Sequence, residues 1–530
     1  MIYQINRTNY RDFDTIEINK RAGRFYNVPY GCKETLRKTP FKKERGNSDL
    51  VRVLNGTWDF KHYASIRDLP DQINTDKIAF DSIPVPGTWQ RNGFEPPVYI
   101  NCAYEFDNTP PELPEDMPVG IYRTFFEVEG RQTYLLAFLG VIPCIDLYIN
   151  GKFVGYSEGA HNTAEFDVTP FVKKGRNELF AVVHKWSTGT FLECQDMFRE
   201  NGIFRDVLLY TLPKTFVNDL YYRTAETAQG WNLDVRAETL GDLAGCTLET
   251  ELYDSRKKLI ASASCDAAEV STLAFTGLNV KTWNAEIPTV YTAFTTLLKR
   301  GKPLMTFRSF IGFKTVIIKR DLFFFNGRLI KFKGVNHHDS NCKTGYVMSF
   351  DDIEKDIRLM KSLNCNAVRT SHYPPDPQFL TLCDLYGLYV VDEADIETHG
   401  CGCAPHDNFH LISADPKWAP RFLDRVKRMY LRDRSHPAIT MWSLGNEAGG
   451  HACEDVCYDY LHEVCPEIPV HYESVIHSER HSYDVVSEMY TNHRNVERCG
   501  RHTRGKKYTN KPFFLCEYAH AMGVGPGALE

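Results

Sequence analysis

Two glutamates close apolar runs in the C-terminal part of the sequence. Glu447 follows ITMWSLGN and Glu517 follows FFLC. A carboxylate at the mouth of a buried run is placed where a pocket can use it. Two of them around one glycosidic bond supply acid/base and nucleophilic chemistry. A separation of about 5 to 5.5 Å serves retention of anomeric configuration through a glycosyl-enzyme intermediate. Taken singly, each glutamate reads equally well as half of a structural ion pair with an arginine.

The elements that must position them begin near residue 314, where apolar runs start to alternate with helical stretches. KFKGVN precedes DDIEKDIRLMKSLN, NAVRTS precedes PQFLTLCDLYG, and LYVVDEADIE precedes PRFLDRVKRMYLRDR. AITMWSLGNE leads into HACEDVCYDYLHEVC, and IPVHYES, DVVSEMY and FFLCEY follow. Such alternation predicts a parallel sheet. Seven successive strand candidates point to a (β/α)8 barrel, whose active residues lie where strands end. Polar residues gather at six of those ends. They are Asn336, His337 and His338; Arg369, Ser371 and His372; Asp392, Glu393, Asp395, Glu397 and His399; Asn446 and Glu447; Met489 and Tyr490; and Glu517 and His520. Solvation of loops alone does not explain so many on one face.

Upstream the pattern is all-β. Residues 1–48 read as an extended arm. Residues 49–214 alternate in short runs such as GIYRTFFEVEG and NELFAVVHKW, with a tight hairpin at Asn150–Gly151, and suit a jelly-roll sandwich. Residues 215–313 carry a weaker version and suit a smaller immunoglobulin-like sandwich. The fold expected is therefore multidomain β and α/β: two sandwiches, then a barrel over 314–530 lacking its last strand.

Bulk properties narrow the function classes. A chain of 530 residues suits three or four domains, and 43% hydrophobic with 25% charged residues supports filled cores. A net charge of −6 has no basic surplus for nucleic acid or anionic membrane. No apolar run is of transmembrane length, and MIYQINRTNYRDFDTIEINKR has no signal-peptide core, which favours the cytoplasm. The 16 cysteines are scattered, as buried reduced thiols are. In HGCGCAPHDNFH, Cys401, Cys403, His406 and His410 are either zinc ligands or a loop with spare thiols; the spacing is not a paired CxxC pattern.

SLGNE, SHYPPDP, DEADIETHG and CEYAHAMG closely resemble the motifs of glycoside hydrolase family 2, in order and on the right elements. The last three resemble its β-galactoside-cleaving branch. VPGTWQRNG and LECQDMFRENGIFRDV extend the likeness into the first sandwich. The resemblance implies Glu447 as general acid/base, Glu517 as nucleophile and Tyr490 as the phenol beside it. It implies Mg2+ on Glu397, His399 and Glu447, and Na+ on Asp196. It places Asn101, Asp196, His338, His372, Asn446, Met489 and His520 on the sugar. Other β-glycosides (a fucoside, arabinoside or galacturonide) and a non-catalytic carbohydrate-binding barrel remain as alternatives. The sequence stops at Glu530, in what should be the loop and helix after the seventh strand, with GVGPG turning toward an eighth. The expectation is a fragment of a longer enzyme or the product of a truncated gene, with exposed edges at strands one and seven, little activity by itself and a need for a C-terminal fragment in trans; a homo-oligomer is the other partner expected.

Overall fold

A computed structural model describes residues 1–475, 478, 480, 483–508, 510–522, 525 and 527. None of its described helices is long and apolar enough to cross a membrane. The first 48 residues thread across the other parts of the molecule. Ile2–Gln4 pairs with Gln72–Asn74, and Glu17–Ile18 adds an edge strand at Tyr156 and Ser157. Tyr10 stacks on His184 with ring centres 4.2 Å apart. Glu17 then meets Arg428, Tyr30 bridges to Thr306, and Arg45 grips Asp206 at 2.6 Å and Asp376 at 3.1 Å.

The first sandwich packs a seven-stranded antiparallel sheet on a four-stranded one. Alternating residues such as Trp58, Phe60, Leu136, Phe138, Leu179 and Ala181 fill the space between them. The hairpin between Cys144–Ile149 and Lys152–Glu158 turns at Asn150 and Gly151, with φ of 52° and 85°. Two successive positive φ values match the right-handed strand twist, which is why Asn-Gly serves here. Gly120 lies against the indole of Trp89, and a Cβ there would sit 2.7 Å from Trp89 and 2.8 Å from Phe60. Gly120→Ala is expected to cost about 1–3 kcal/mol by overpacking. Urea unfolding measures it, and an unchanged midpoint would mean that the core yields.

The second sandwich pairs a three-stranded with a four-stranded sheet, around Trp231, Leu233, Val235, Leu248, Leu297 and Phe307. It ends at Lys302–Ile311, and a small antiparallel sheet, Val316–Lys319, Leu322–Phe325 and Arg328–Leu329, follows. Phe323 of that sheet packs with Val391, Met441 and Val485 and so plugs the bottom of the barrel.

Seven parallel barrel strands lie among the described residues. Gly334–Asn336, Ala367–Arg369, Tyr389–Glu393, Ile439–Ser443 and Val470–His471 form one sheet. Val486–Met489 and Phe513–Glu517 form a second. The two sheets join where His471 Nε2 meets Ser487 Oγ at 2.8 Å. Helices follow strands because their apolar residues recur at helical spacing. Phe350–Ser362 buries Ile353, Ile357 and Met360, and Ser349 with Asp352 forms a capping box at its start. The third and fourth strands are wholly buried, whereas the first and seventh are half-exposed. These two are not left fully apart: Tyr518 Oη donates to Gly334 O at 3.2 Å, and Phe332 meets Phe514 edge-on at 5.8 Å. The turn expected at GVGPG lies largely outside the described residues.

Candidate active site

Arg369, at the end of the second strand, organises the barrel mouth. Its guanidinium donates to both oxygens of Glu393, at 2.7 and 3.0 Å. It also donates to Asn446 Oδ1 at 2.9 Å and to Glu517 Oε1 at 3.2 Å. The planar fork suits such multiple recognition, and it links strands two, three, four and seven in one network. Asn446 passes the connection on through Nδ2, to Glu397 Oε2 at 2.9 Å and Glu447 Oε2 at 3.5 Å. The two sequence-singled glutamates are thus joined through Asn446 and Arg369.

Glu517 takes a second hydrogen bond from Tyr490 Oη at 2.6 Å, and His372 Nε2 stands 3.9 Å away. Burial pushes its carboxyl up, but Arg369, His372 and Tyr490 together outweigh burial and hold it below the ordinary carboxylate range. It is a carboxylate kept charged. His372 is driven the other way, well below the usual imidazole value, by burial first and the Arg369 charge second. A neutral ring 2.7 Å from Glu393 Oε1 carries its proton on Nδ1, which leaves Nε2 as an acceptor. His338 stands edge-on to His372 at 5.5 Å, is pushed down to about 3 by burial and by neighbouring histidines, and bonds Tyr373 Oη at 3.2 Å. His520 Nδ1 comes within 3.4 Å of Tyr490 Oη.

Glu447 sits on a turn with φ of 37°, in the left-handed region that a side chain disfavours. The fifth strand end holds that turn. Glu473 Oε1 accepts from Glu447 N at 2.6 Å, and Tyr472 Oη accepts from Ala448 N at 3.1 Å. Glu473 itself is pushed up to about 8, by burial first and then by the Glu447 charge. Glu447, Glu473, Met489 and Tyr490 line an open cleft of about 550 Å³ with Phe409, Asn492 and Arg504 among the other walls.

Glu397, His399 and Glu447 place one donor atom each within 4.8 Å of one another. His399 Nδ1 approaches Glu447 Oε2 at 2.6 Å. Glu397 Oε1 is buried with no hydrogen-bond partner among the described residues, and burial with the Glu447 charge pushes this carboxyl well above the ordinary value. Two carboxylates, one imidazole and an orphaned buried oxygen fit a hard divalent cation. Asp196 belongs to no such group among the described residues. It accepts from Tyr99 Oη and faces His520 Nε2 at 3.9 Å.

The first sandwich reaches this mouth directly. Glu397 N donates to Leu192 O at 2.8 Å and Cys194 N to Glu397 O at 3.1 Å, so a sandwich loop fixes a barrel carboxylate. Met197–Arg199 pairs with Val98–Ile100 and presents Asp196 and Asn101. The VPGTWQRNG segment clasps that loop through Trp89 N to Asn201 O, 2.9 Å, and Arg91 Nε to Glu200 Oε1, 2.6 Å. Asn101 Nδ2 meets Met522 Sδ at 3.0 Å, beyond the seventh strand.

Several strand-end residues point elsewhere. His337 bonds Asp356 on a helix at 3.0 Å and stacks on Phe379. Asp392 is buried beside Asp433 and Arg432, behind the sheet. Asp395 joins Gln195 at 3.0 Å and Arg425 at 3.3 Å and cements the sandwich to the barrel. The four-ligand zinc arrangement of Cys401, Cys403, His406 and His410 does not form. Cys401 is buried against Tyr104 Oη at 3.4 Å, His406 lies edge-on to Tyr104, His410 lies beside His451, and Cys403 faces Cys102. The loop turns these side chains in different directions, because the 3-10 turn His399–Gly402 buries Cys401 and leaves Cys403 half-exposed. The sequence assigns no separate role to Glu393, one of several strand-end acids, or to Glu473. Glu473 follows the fifth strand as Glu447 follows the fourth, and that parallel was the available signal.

A parallel barrel with carboxylates at the ends of strands four and seven, and with side chains supplied by an N-terminal sandwich, has the architecture of a multidomain glycoside hydrolase. The chain belongs to glycoside hydrolase family 2. The family's sugar binding domain matches residues 51–213, its middle domain 215–314 and its TIM barrel domain 316–530. The chain is 35% identical to a β-galactosidase of Actinobacillus pleuropneumoniae, over 98% of this chain and 53% of that protein. It is also 35% identical to a β-galactosidase of Halalkalibacterium halodurans, over 98% of this chain and 52% of that one. The chain thus spans about half the length of the curated relatives it matches. Among solved structures, a β-glucuronidase from Ruminococcus gnavus in complex with uronic isofagomine superposes with a TM-score of 0.70 at 19% identity, covering 90% of this chain and 84% of that one. A Bifidobacterium dentium β-glucuronidase gives 0.68 at 21%, covering 88% and 83%. At such identity these two share the fold.

Proposed function

We propose that this chain carries the catalytic centre of a retaining β-galactosidase. The observation that carries the reading is the state of Glu517: a carboxylate held charged by Arg369 at 3.2 Å and Tyr490 at 2.6 Å, in one network with Glu447. Glu517 attacks the anomeric carbon while Glu447 delivers a proton to the departing oxygen. Glu447 then withdraws a proton from water as that water releases the sugar from Glu517. His338, His372, Asn446, Met489 and His520, with Asn101 and Asp196 from the sandwich, hold the galactose hydroxyls. Glu397, His399 and Glu447 would hold Mg2+, which would supply positive charge beside the acid/base, and Asp196 would contribute to a Na+ site.

Charge favours a neutral sugar over a uronate. Arg369 is already committed to Glu393, Asn446 and Glu517, and Arg504 on the cleft wall is paired with Glu488 at 2.6 Å. Glu517, held charged, would repel a second carboxylate. The β-galactosidases at 35% identity support the same sugar.

The test is an activated 2-fluoro-β-galactoside, followed by peptide mapping. A galactosyl adduct on Glu517 is expected. An adduct on another carboxylate, or faster turnover of an aryl β-glucuronide than of the β-galactoside, overturns the assignment. Tyr490→Phe gives a second check. It removes the hydrogen bond that holds Glu517 down, so the Glu517 pKa rises, and the acid limb of kcat/KM is expected to move to higher pH. The wild-type limb should lie below the ordinary glutamate range, because Arg369, His372 and Tyr490 hold the Glu517 carboxyl down. A limb that stays in place would separate Tyr490 from the nucleophile.

A further inference from the structure

We propose that Cys102, Cys403 and His399 form a site for a thiophilic divalent cation of the Zn2+ class, on the seam between the first sandwich and the barrel mouth. Cys102 follows Asn101 on the sandwich side, and Cys403 ends the 3-10 turn that begins at His399. The two sulfurs are 3.1 Å apart and both are free thiols. With the His399 ring nitrogen they place three donors within 4.8 Å of one another. All three residues are half-buried, so a solvated ion can reach them. Tetrahedral Zn2+ with Zn–S bonds of about 2.3 Å spaces two sulfurs about 3.7 Å apart. The present pair, at 3.1 Å, needs to open by about 0.6 Å.

The donor set decides the ion. Two thiolates and an imidazole select a soft or borderline cation, whereas Glu397, His399 and Glu447 on the other side select a hard one. Three protein ligands leave the fourth position to water. Binding expels the two thiol protons, so charge balances as one divalent ion replaces two protons. Cys401 and Cys453 are also near this loop but are fully buried, and neither joins the group.

His399 belongs to both donor sets, and it is the imidazole 2.6 Å from Glu447. Capture by the thiolates draws that ring toward the sandwich and away from the acid/base. Micromolar Zn2+ is therefore expected to inhibit, a consequence that rests on the function proposed above. The site itself does not depend on that function, and its test reads the metal directly.

Reduced chain is titrated with Co2+ in the absence of oxygen. One equivalent is expected to develop thiolate-to-cobalt charge-transfer absorption in the near ultraviolet, which Zn2+ then bleaches. The Cys102→Ser/Cys403→Ser pair is expected to lose the band, and Cys342→Ser, at an exposed thiol elsewhere, to keep it. In the unmodified chain, Zn2+ is expected to shield Cys102 and Cys403 from iodoacetamide, read by peptide mass. No band, a band that survives the double substitution, or unshielded thiols overturns the site. Loss of the band with Zn2+-insensitive turnover keeps the site and overturns only its coupling to Glu447.

Discussion

Replacing Glu517 with glutamine is expected to lower kcat for an aryl β-galactoside by about 10³-fold or more. The amide keeps the shape but cannot form the glycosyl ester. Arg369 retains Glu393 as its partner, so thermal unfolding should move little. Glu517→Ala with azide sharpens the result: the small anion enters the space left by the carboxylate and should restore turnover with a galactosyl azide of inverted configuration. Glu447→Gln should behave differently, sparing substrates whose leaving group needs no proton. Turnover within tenfold of wild type for Glu517→Gln would remove it from the reaction.

The largest expected stability effect lies one residue away in the same network. Arg369 and Glu393 are 2% and 0% exposed in their side chains, and the pair is bidentate. Arg369→Met leaves the Glu393 carboxylate without its cation, beside a neutral His372. Breaking one partner of such a buried pair costs about 3–5 kcal/mol. Urea unfolding should show that loss, and a change below about 1 kcal/mol would mean that the buried pair contributes little to stability. Activity should fall as well, since the charge that holds Glu517 down is gone.

The barrel and the polar cluster at its mouth were legible because strand ends are chemically conspicuous. An apolar run that stops at Asn-Glu or Cys-Glu announces both a strand and a pocket. The hairpin at Asn150–Gly151 was legible for a similar reason, since two positive φ values need particular residues. What pattern alone does not carry is direction. Asp392 and Asp395 stand among functional neighbours, yet one turns behind the sheet and the other serves the sandwich. Glu473 was hidden by the shortness of its strand, Val470–His471. The partner of Cys403 lies 301 residues away, so no local spacing could have announced it.

The threading of the first 48 residues sets a clock on biosynthesis. Glu17 is separated from Arg428 by 411 positions, and Arg45 from Asp376 by 331. At a synthesis rate of about 5–20 residues per second, Glu17 waits roughly 20–80 s for its partner to emerge. The edge strand at Tyr156 and Ser157 can dock much earlier, once the first sandwich is out. The strap is thus sewn in stages: Arg45 can meet Asp376 once the second barrel strand is out, and the Glu17 side chain gains Arg428 only with the helix Ala419–Asp433 that follows the third.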